Sequence, residues 1–300
     1  MKFGVIQEAT ETAVVMPLGA DWLHLSRAWL DYNQHVEGRE AAPLRSLQDL
    51  IDQNLLHRTF YRRMAEFAQR HGRHGMYTLE TPPRFILPWR PGKVVAIARN
   101  YRAHAQELGN AVPTEPMFFG KVGSSCIGPE EPILIQDWYG RVDFEGEIGV
   151  VIGKRATAIK AEDAREYVSG YTLVNDVTAR DLQNADKKAG HPWFRSKNMD
   201  TFCPIGPVLL LADAFPWPLE VDVETRVNGA VRQQGNTRQF IFSVGELLAA
   251  VTRCVTLEPG DIVATGTPEG VGPMLPGEVV EVSNPEIGVL RNPLRRADAD

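Results

Sequence analysis

Three acids stand at alternate positions in one short stretch: Asp143, Glu145 and Glu147, within V-D-F-E-G-E-I-G-V-V-I-G-K (142–154). Residues two apart on a strand share a face, so an extended backbone here aims neighbouring carboxylates at one point. Like charges held that close repel unless a cation lies between them or one carboxyl keeps its proton. A hard divalent ion with oxygen ligands is the simplest remedy. The plain alternative is a solvated strand end with a charged edge.

Other candidate chemistry lies on either side. In R-N-Y-R-A-H-A-Q-E-L-G, His104 and Glu107 are three apart, which on a helix places them on one face. A carboxylate beside an imidazole raises its basicity and orients it, giving a candidate general base; an exposed ion pair is the competing reading. The stretch T-A-R-D-L-Q-N-A-D-K-K-A-G-H-P-W-F-R-S-K-N-M-D-T-F-C-P-I-G-P reads as a long polar loop of the lid type. It carries Arg180, Gln183 and Lys197, suited to an anionic substrate, or else is a mobile charged surface loop. In P-G-D-I-V-A-T-G-T-P-E-G-V-G-P (259–273) a buried strand runs into a glycine-rich turn. There, backbone N–H groups and the hydroxyls of Thr265 and Thr267 are candidates to face a ligand carboxylate, with a plain tight turn as the alternative. Lys121 lacks the spacing of a phosphate loop.

These residues need strands and helices to position them. Ile148 to Ile152 is apolar and β-branched around a single glycine, which predicts a buried strand behind the acids. Lys93 to Ala98, Tyr167 to Asn175, Val208 to Leu211 and Leu219 to Val227 read likewise, the first leading into His104 and the second ending at Asp176. Ser243 with Glu246 predicts a capped helix to Arg253. Near the start, Lys2 to Gln7 and Thr12 to Met16 predict two strands. Asp21 is then expected to cap a helix through Trp22, Leu25, Trp29 and Tyr32. A second helix is expected from Ser46, boxed by Asp49, to His71-Gly72. His24, His35, His57, His71 and His74 show no ligand spacing. Prolines at 82, 83, 88 and 91 predict a link between a small N-terminal α/β domain, 1–90, and a main body, 91–300. Arg291 to Asp300 reads as a frayed tail.

Composition narrows the partners. The 300 residues are 43% hydrophobic, enough for a large core, and carry 32 basic against 38 acidic side chains, net -6. An acidic balance without a basic run is a poor match for nucleic acid or an anionic membrane. Three scattered cysteines without a C-x-x-C pattern favour a reducing compartment. With no long apolar run and no signal-like start, a cytoplasmic protein is expected.

Five motifs in order, N-Y-R-A-H-A-Q-E, D-F-E-G-E-I-G-V-V-I-G-K, N-D-V-T-A-R-D-L-Q, S-K-N-M-D-T-F-C-P-I-G-P and T-G-T-P-E-G-V-G-P, resemble the fumarylacetoacetate hydrolase family over roughly residues 93 to 285. One departure is the replacement of a glycine before the N-Y pair by Ala98 or Arg99. The resemblance implies an α+β, β-rich roll of mixed sheets with helices outside, commonly a homodimer. It also implies Glu145, Glu147 and Asp176 as ligands of Mg²⁺, or of Mn²⁺ or Ca²⁺, leaving Asp143 outside the set. It makes His104 and Glu107 a water-activating dyad, puts Lys197 beside a developing enolate, and has Arg180, Gln183 and Thr267 contact a 2-oxo acid substrate. The implied activity is hydrolysis of the C–C bond of a 2,4-dioxo acid, an acylpyruvate or fumarylpyruvate, toward which the His104–Glu107 pair tilts the expectation. The alternatives are decarboxylation, isomerisation or tautomerisation of a 2-oxo acid such as oxaloacetate or a 2-hydroxy-diene-dioate. More remote is a protein that binds a 2-oxo acid without turnover.

Overall fold

The computed structural model describes residues 1–72, 75–107 and 111–297, the side chains of Ala105 and Gln106 excepted; His74 and the last three residues of the expected tail lie outside them. The chain opens with β1 (Lys2–Glu8) and β2 (Glu11–Leu18), paired antiparallel with Val5 opposite Val14. Asp21 does not cap a helix. It starts β3 (Asp21–His24), because Gly19 in left-handed backbone returns the chain alongside β2, with Asp21 opposite Leu18. Helix α1 (Leu25–Tyr32) begins one turn later, its cap being the His24 ring, which accepts the Arg27 N–H at 3.2 Å. The single helix expected from Ser46 is two, α2 (Leu47–Asp52) and α3 (Arg58–His71). The box at Ser46 is present, with Asp49 accepting the Ser46 N–H at 2.7 Å, but Asn54 turns left-handed and His57 caps anew through the Phe60 N–H at 3.1 Å.

The main body follows as β4 (Val94–Ala98), α4 (Arg102–Glu107), β5 (Met117–Lys121), β6 (Cys126–Ile127), β7 (Ile133–Ile135), β8 (Val142–Phe144), β9 (Gly146–Ile152), β10 (Val168–Asn175) and β11 (Thr178–Ala179). The polar segment expected to be a loop is instead helical. It forms α5 (Arg180–Ala189), closed by Gly190 at φ 72°, and α6 (Phe194–Lys197). Its polarity misleads because α5 turns Arg180, Gln183 and Asp186 inward, where each finds a polar partner. Then come β12 (Cys203–Leu211), β13 (Asp222–Val227), β14 (Ala230–Asn236), α7 (Val244–Cys254), β15 (Ile262–Ala264), β16 (Gly272–Pro273), β17 (Val279–Asn284) and β18 (Gly288–Arg296). Ser243 boxes α7 as expected, its N–H 2.7 Å from Glu246 Oε2. The expected frayed tail is largely β18, whose residues to Arg296 pair with β17 and β7.

Among the described residues, a ten-stranded sheet runs β3-β2-β1-β12-β10-β9-β15-β4-β5, with β6 on β12. A second sheet runs β14-β13-β17-β18-β7, and β11-β8-β16 form a third. The large sheet is covered on both faces, which is why β9 reads as an apolar run from Ile148 to Ile152. Val151 joins a cluster with Phe3, Trp29, Phe60, Leu209 and Ile262, whereas Ile148, Val150 and Ile152 pack with Leu247, Leu248 and Val251 of α7. The N-terminal strands join this sheet through β1 and β12, with Phe3 opposite Leu209.

Candidate active site

The acids converge because of strand register. Antiparallel pairing of β9 with β10 sets Val174 opposite Glu147 and Asn175 opposite Gly146. One residue further, the Asp176 N–H donates to the Glu145 carbonyl at 2.9 Å, and Asn175 Oδ1 accepts the Glu145 N–H at 2.9 Å. Glu145, Glu147 and Asp176 are thereby buried with ligand-type oxygens within 4.8 Å of one another. Gly146 between the two glutamates meets the second sheet so closely that a Cβ would lie 2.1 Å from Thr225 Oγ1. Glu147 Oε2 accepts the Gly266 N–H at 2.8 Å, and Gly266 needs its glycine for a φ of 94°.

Buried cations surround the triad. Lys197 Nζ lies 2.8 Å from Glu145 Oε2 and also bonds Asp176 Oδ2. Lys121, read from the sequence only as an unlikely phosphate binder, sends its Nζ 2.6 Å from Asp176 Oδ1 and 2.5 Å from the Lys197 carbonyl. A lysine at the inward end of the strand M-F-F-G-K was the available signal, which a spacing search does not weigh. Asp143 stays off the cluster, as the family resemblance implies and the bare alternation does not. Its carboxylate accepts from Arg141 Nε at 2.6 Å and Arg180 Nε at 2.8 Å, and so steers Arg180 onto Glu145 and, at 2.6 Å, Gln183.

The charges respond to burial and to each other. Burial pushes Glu145 up, but Lys197, Arg180 and His104 outweigh it and hold the carboxyl well below the usual range. Glu147 moves the other way, raised well above its ordinary value by burial and by the nearby Asp176 and Glu145. Burial alone would lower Lys197; Asp176 and Glu145 keep it cationic. Three buried carboxylates of which one resists ionising are a donor set for a hard divalent cation, and the all-oxygen chemistry fits Mg²⁺, Mn²⁺ or Ca²⁺ alike.

A cavity of about 400 Å³ opens over the triad, and it is lined by all nine residues expected at the site: His104, Glu107, Glu145, Glu147, Asp176, Arg180, Gln183, Lys197 and Thr267. His104 is buried on α4 with Nδ1 3.6 Å from Glu107 Oε2, too long for a hydrogen bond. Burial pushes the imidazole below its usual value against the pull of Glu145 and Glu107. Glu107 is held instead by the Gly270 N–H at 3.1 Å. Two N–H groups of the glycine-rich turn, those of Gly266 and Gly270, thus go to the protein's own carboxylates rather than to a ligand. The Thr265 hydroxyl faces the Ile148 carbonyl at 2.9 Å, and Thr267 donates to Gly146 at 2.9 Å and accepts from Gln233 Nε2 at 2.7 Å. Arg99, Phe119 and Trp193 also line the cavity without having been singled out as site residues.

Known proteins resemble the chain throughout. Oxaloacetate tautomerase FAHD2A, mitochondrial, of Bos taurus is 39% identical over 262 residues, 81% of this chain and 83% of that one. The crystal structure of 5-carboxymethyl-2-hydroxymuconate delta-isomerase from Mycobacterium smegmatis is 31% identical, covers all of both chains and superposes with a TM-score of 0.72. Fumarylacetoacetate hydrolase from the psychrophilic Exiguobacterium antarcticum is 31% identical over 99% of this chain and 100% of that one, with a TM-score of 0.78. Residues 93–295 match the model of the fumarylacetoacetate hydrolase C-terminal domain, the span that carries the carboxylate triad and its cavity, and the chain belongs to the fumarylacetoacetate hydrolase family.

Proposed function

We propose that this site catalyses the keto–enol tautomerisation or double-bond isomerisation of a 2-oxo acid with the help of a divalent cation. The sequence favoured hydrolysis; the relatives named as a tautomerase and an isomerase move the reading to what was the alternative. The observation that carries it is a buried base and a buried ammonium facing one cavity with three convergent carboxylates. Both tautomerisation and isomerisation need a proton lifted from carbon beside a carbonyl and negative charge held on oxygen, and neither needs water.

Glu145, Glu147 and Asp176 would hold the cation, which when bound supplies Lewis-acid polarisation of a chelating 2-oxo carboxylate. His104, kept neutral by burial, takes the C3 proton and returns a proton to oxygen or to a different carbon. Lys197 stays cationic beside Glu145 and Asp176 and sets positive charge next to the oxygen on which the enolate develops. Glu107, 3.6 Å from the imidazole, biases its orientation. Arg180 and Gln183, bonded to each other, keep a cationic wall on the Glu145 side.

A second reading, C–C hydrolysis, draws on Glu107, which is 37% exposed at the rim where water reaches it. One experiment separates the two. Oxaloacetate and an acylpyruvate are each followed by ultraviolet absorbance with Mg²⁺. Accelerated enolisation of the first, lost in His104→Gln, supports the tautomerase; cleavage of the second with oxaloacetate untouched replaces it by the hydrolase.

A further inference from the structure

We propose that Arg99 is the specificity-determining residue that binds the far carboxylate of a 2-oxo dicarboxylic acid, an inference that rests on the reading above and gives its substrate class. Arg99 follows β4 and lines the same cavity as the triad. Its backbone is left-handed at φ 58°, a conformation an arginine rarely adopts. The turn is locked there by the next residue, Asn100, whose amide donates to the Thr265 carbonyl at 3.0 Å and accepts the Phe242 N–H at 2.9 Å. Backbone strain at a cavity wall is the kind retained where it aims a side chain.

The guanidinium is in an unusual electrostatic position. Arg141 and Arg180 share Asp143, and Lys197 holds Glu145 and Asp176, so those cations are already answered by carboxylates. Arg99 is half-buried, and among the described residues it meets no carboxylate and makes no hydrogen bond. Its neighbour is the Trp193 ring, whose centroid is 6.0 Å from the guanidinium carbon. A cation over an indole keeps its edge free, and five donors on a planar fork suit a carboxylate. Trp193 stands edge-on to Phe119 at 6.0 Å, and Phe119 in turn carries Lys197 Nζ 5.1 Å from its centroid. Arg99, Trp193, Phe119 and Lys197 therefore form a chain of contacts along the cavity wall, with a guanidinium at one end and the ammonium beside the triad at the other. A molecule with its 2-oxo acid end at the triad and a second anion at its other end matches that division of charge.

The test uses the full chain with Mg²⁺ and two ligands, oxaloacetate and its 4-methyl ester, which keeps the 2-oxo acid and loses only the far charge. Calorimetry gives a Kd for each, and the readout is their ratio, which a merely misplaced cavity wall would leave unchanged because both ligands would suffer together. Wild type is expected to prefer the diacid by ~10- to 100-fold, the usual worth of a charge-assisted hydrogen bond. Arg99→Leu, and Arg99→Gly, which relieves the left-handed backbone, should bring the ratio to within about 3-fold of unity, while Arg99→Lys retains part of the preference. A wild type that does not discriminate, or a ratio that survives both Arg99→Leu and Arg99→Gly, overturns the assignment. Binding is read apart from turnover. A preference lost with Arg99 upholds it even if oxaloacetate is never enolised, whereas enolisation without any preference refutes it and leaves the reaction standing.

Discussion

Replacing Gly146 by alanine tests how two glutamates one residue apart come to face the same point. The added Cβ would lie 2.1 Å from Thr225 Oγ1 and 3.1 and 3.2 Å from the methyls of Val282, where real contacts stay beyond 3.0 Å. Strand β9 must therefore withdraw from the second sheet by roughly 1 Å, an overpacking that costs ~1–3 kcal/mol. Glu145 and Glu147 move with it. Metal sites tolerate ligand shifts of only about 0.2 Å, so Mg²⁺ affinity should fall by at least about tenfold. The clash comes from Thr225 Oγ1, a buried hydroxyl with no hydrogen-bond partner among the described residues. Removing it in Thr225→Ala forfeits no bond and should cost ~1 kcal/mol or less. In the double variant the hydroxyl is gone before the methyl arrives, and the two changes should couple favourably by ~1–2 kcal/mol. Urea unfolding in the presence of a chelator gives the stabilities, and calorimetric titration gives the Mg²⁺ affinity. A Gly146→Ala protein with wild-type stability and metal binding, or a double variant no better than the sum of its parts, refutes the packing account.

Three other expectations follow from the charges. Glu147 prefers its proton in the cation-free fold, so the stability this preference contributes is present at low pH and lost as pH rises through the raised folded value. The Mg²⁺-induced rise in Tm should accordingly be larger at about pH 8 than at about pH 5, and Glu147→Gln should flatten the metal-free profile while losing most of the Mg²⁺ response. Burial lowers His104 from its ordinary 6.5, so the base form persists below that pH and the acid limb of kcat/KM should bend below 6.5; a limb above 6.5 would mean that Glu145 and Glu107 outweigh burial. Lys121→Met removes a buried ammonium from the Lys197 carbonyl and from Asp176, which keeps Lys197 as its other partner, and should cost ~2–3 kcal/mol in chemical unfolding; a loss under ~1 kcal/mol would show that the pair contributes little.

The site was more legible in the sequence than the fold around it. Glu145 and Glu147 announce themselves because strand periodicity is local, and the resemblance brings Asp176 from another strand. Capping at Ser46 and Ser243 was readable for the same reason: four consecutive residues contain the whole interaction. Asp21 misled because a cap and a strand start share a residue type, and the choice was made by the tight hairpin that Gly19 closes onto β2, which the helical spacing of Trp22, Leu25 and Trp29 does not register. The segment from Arg180 to Lys197 looked like a loop because its inward face is polar, and the partners Asp143 and Glu145 that answer Arg180 lie well upstream of it in the chain. The tail's register with β7 is set by residues about 160 positions away, Leu294 opposite Ile133.

The pairing of β1 with β12 has a consequence for anyone shortening this chain. From Val208 onward β12 reads V-L-L-L, without a charge or proline to blunt it, and Lys2, Phe3 and Gly4 lie opposite Leu210, Leu209 and Val208. Cutting in the proline cluster between Pro82 and Pro91 would look natural from the sequence, yet it would strip that cover and open a row of unpaired amides and carbonyls on an apolar strand. Such an edge is a template for another copy of itself. The first strands therefore act as a guard against edge-to-edge self-association, and their removal would be felt first as lost solubility, before any question of catalysis arises.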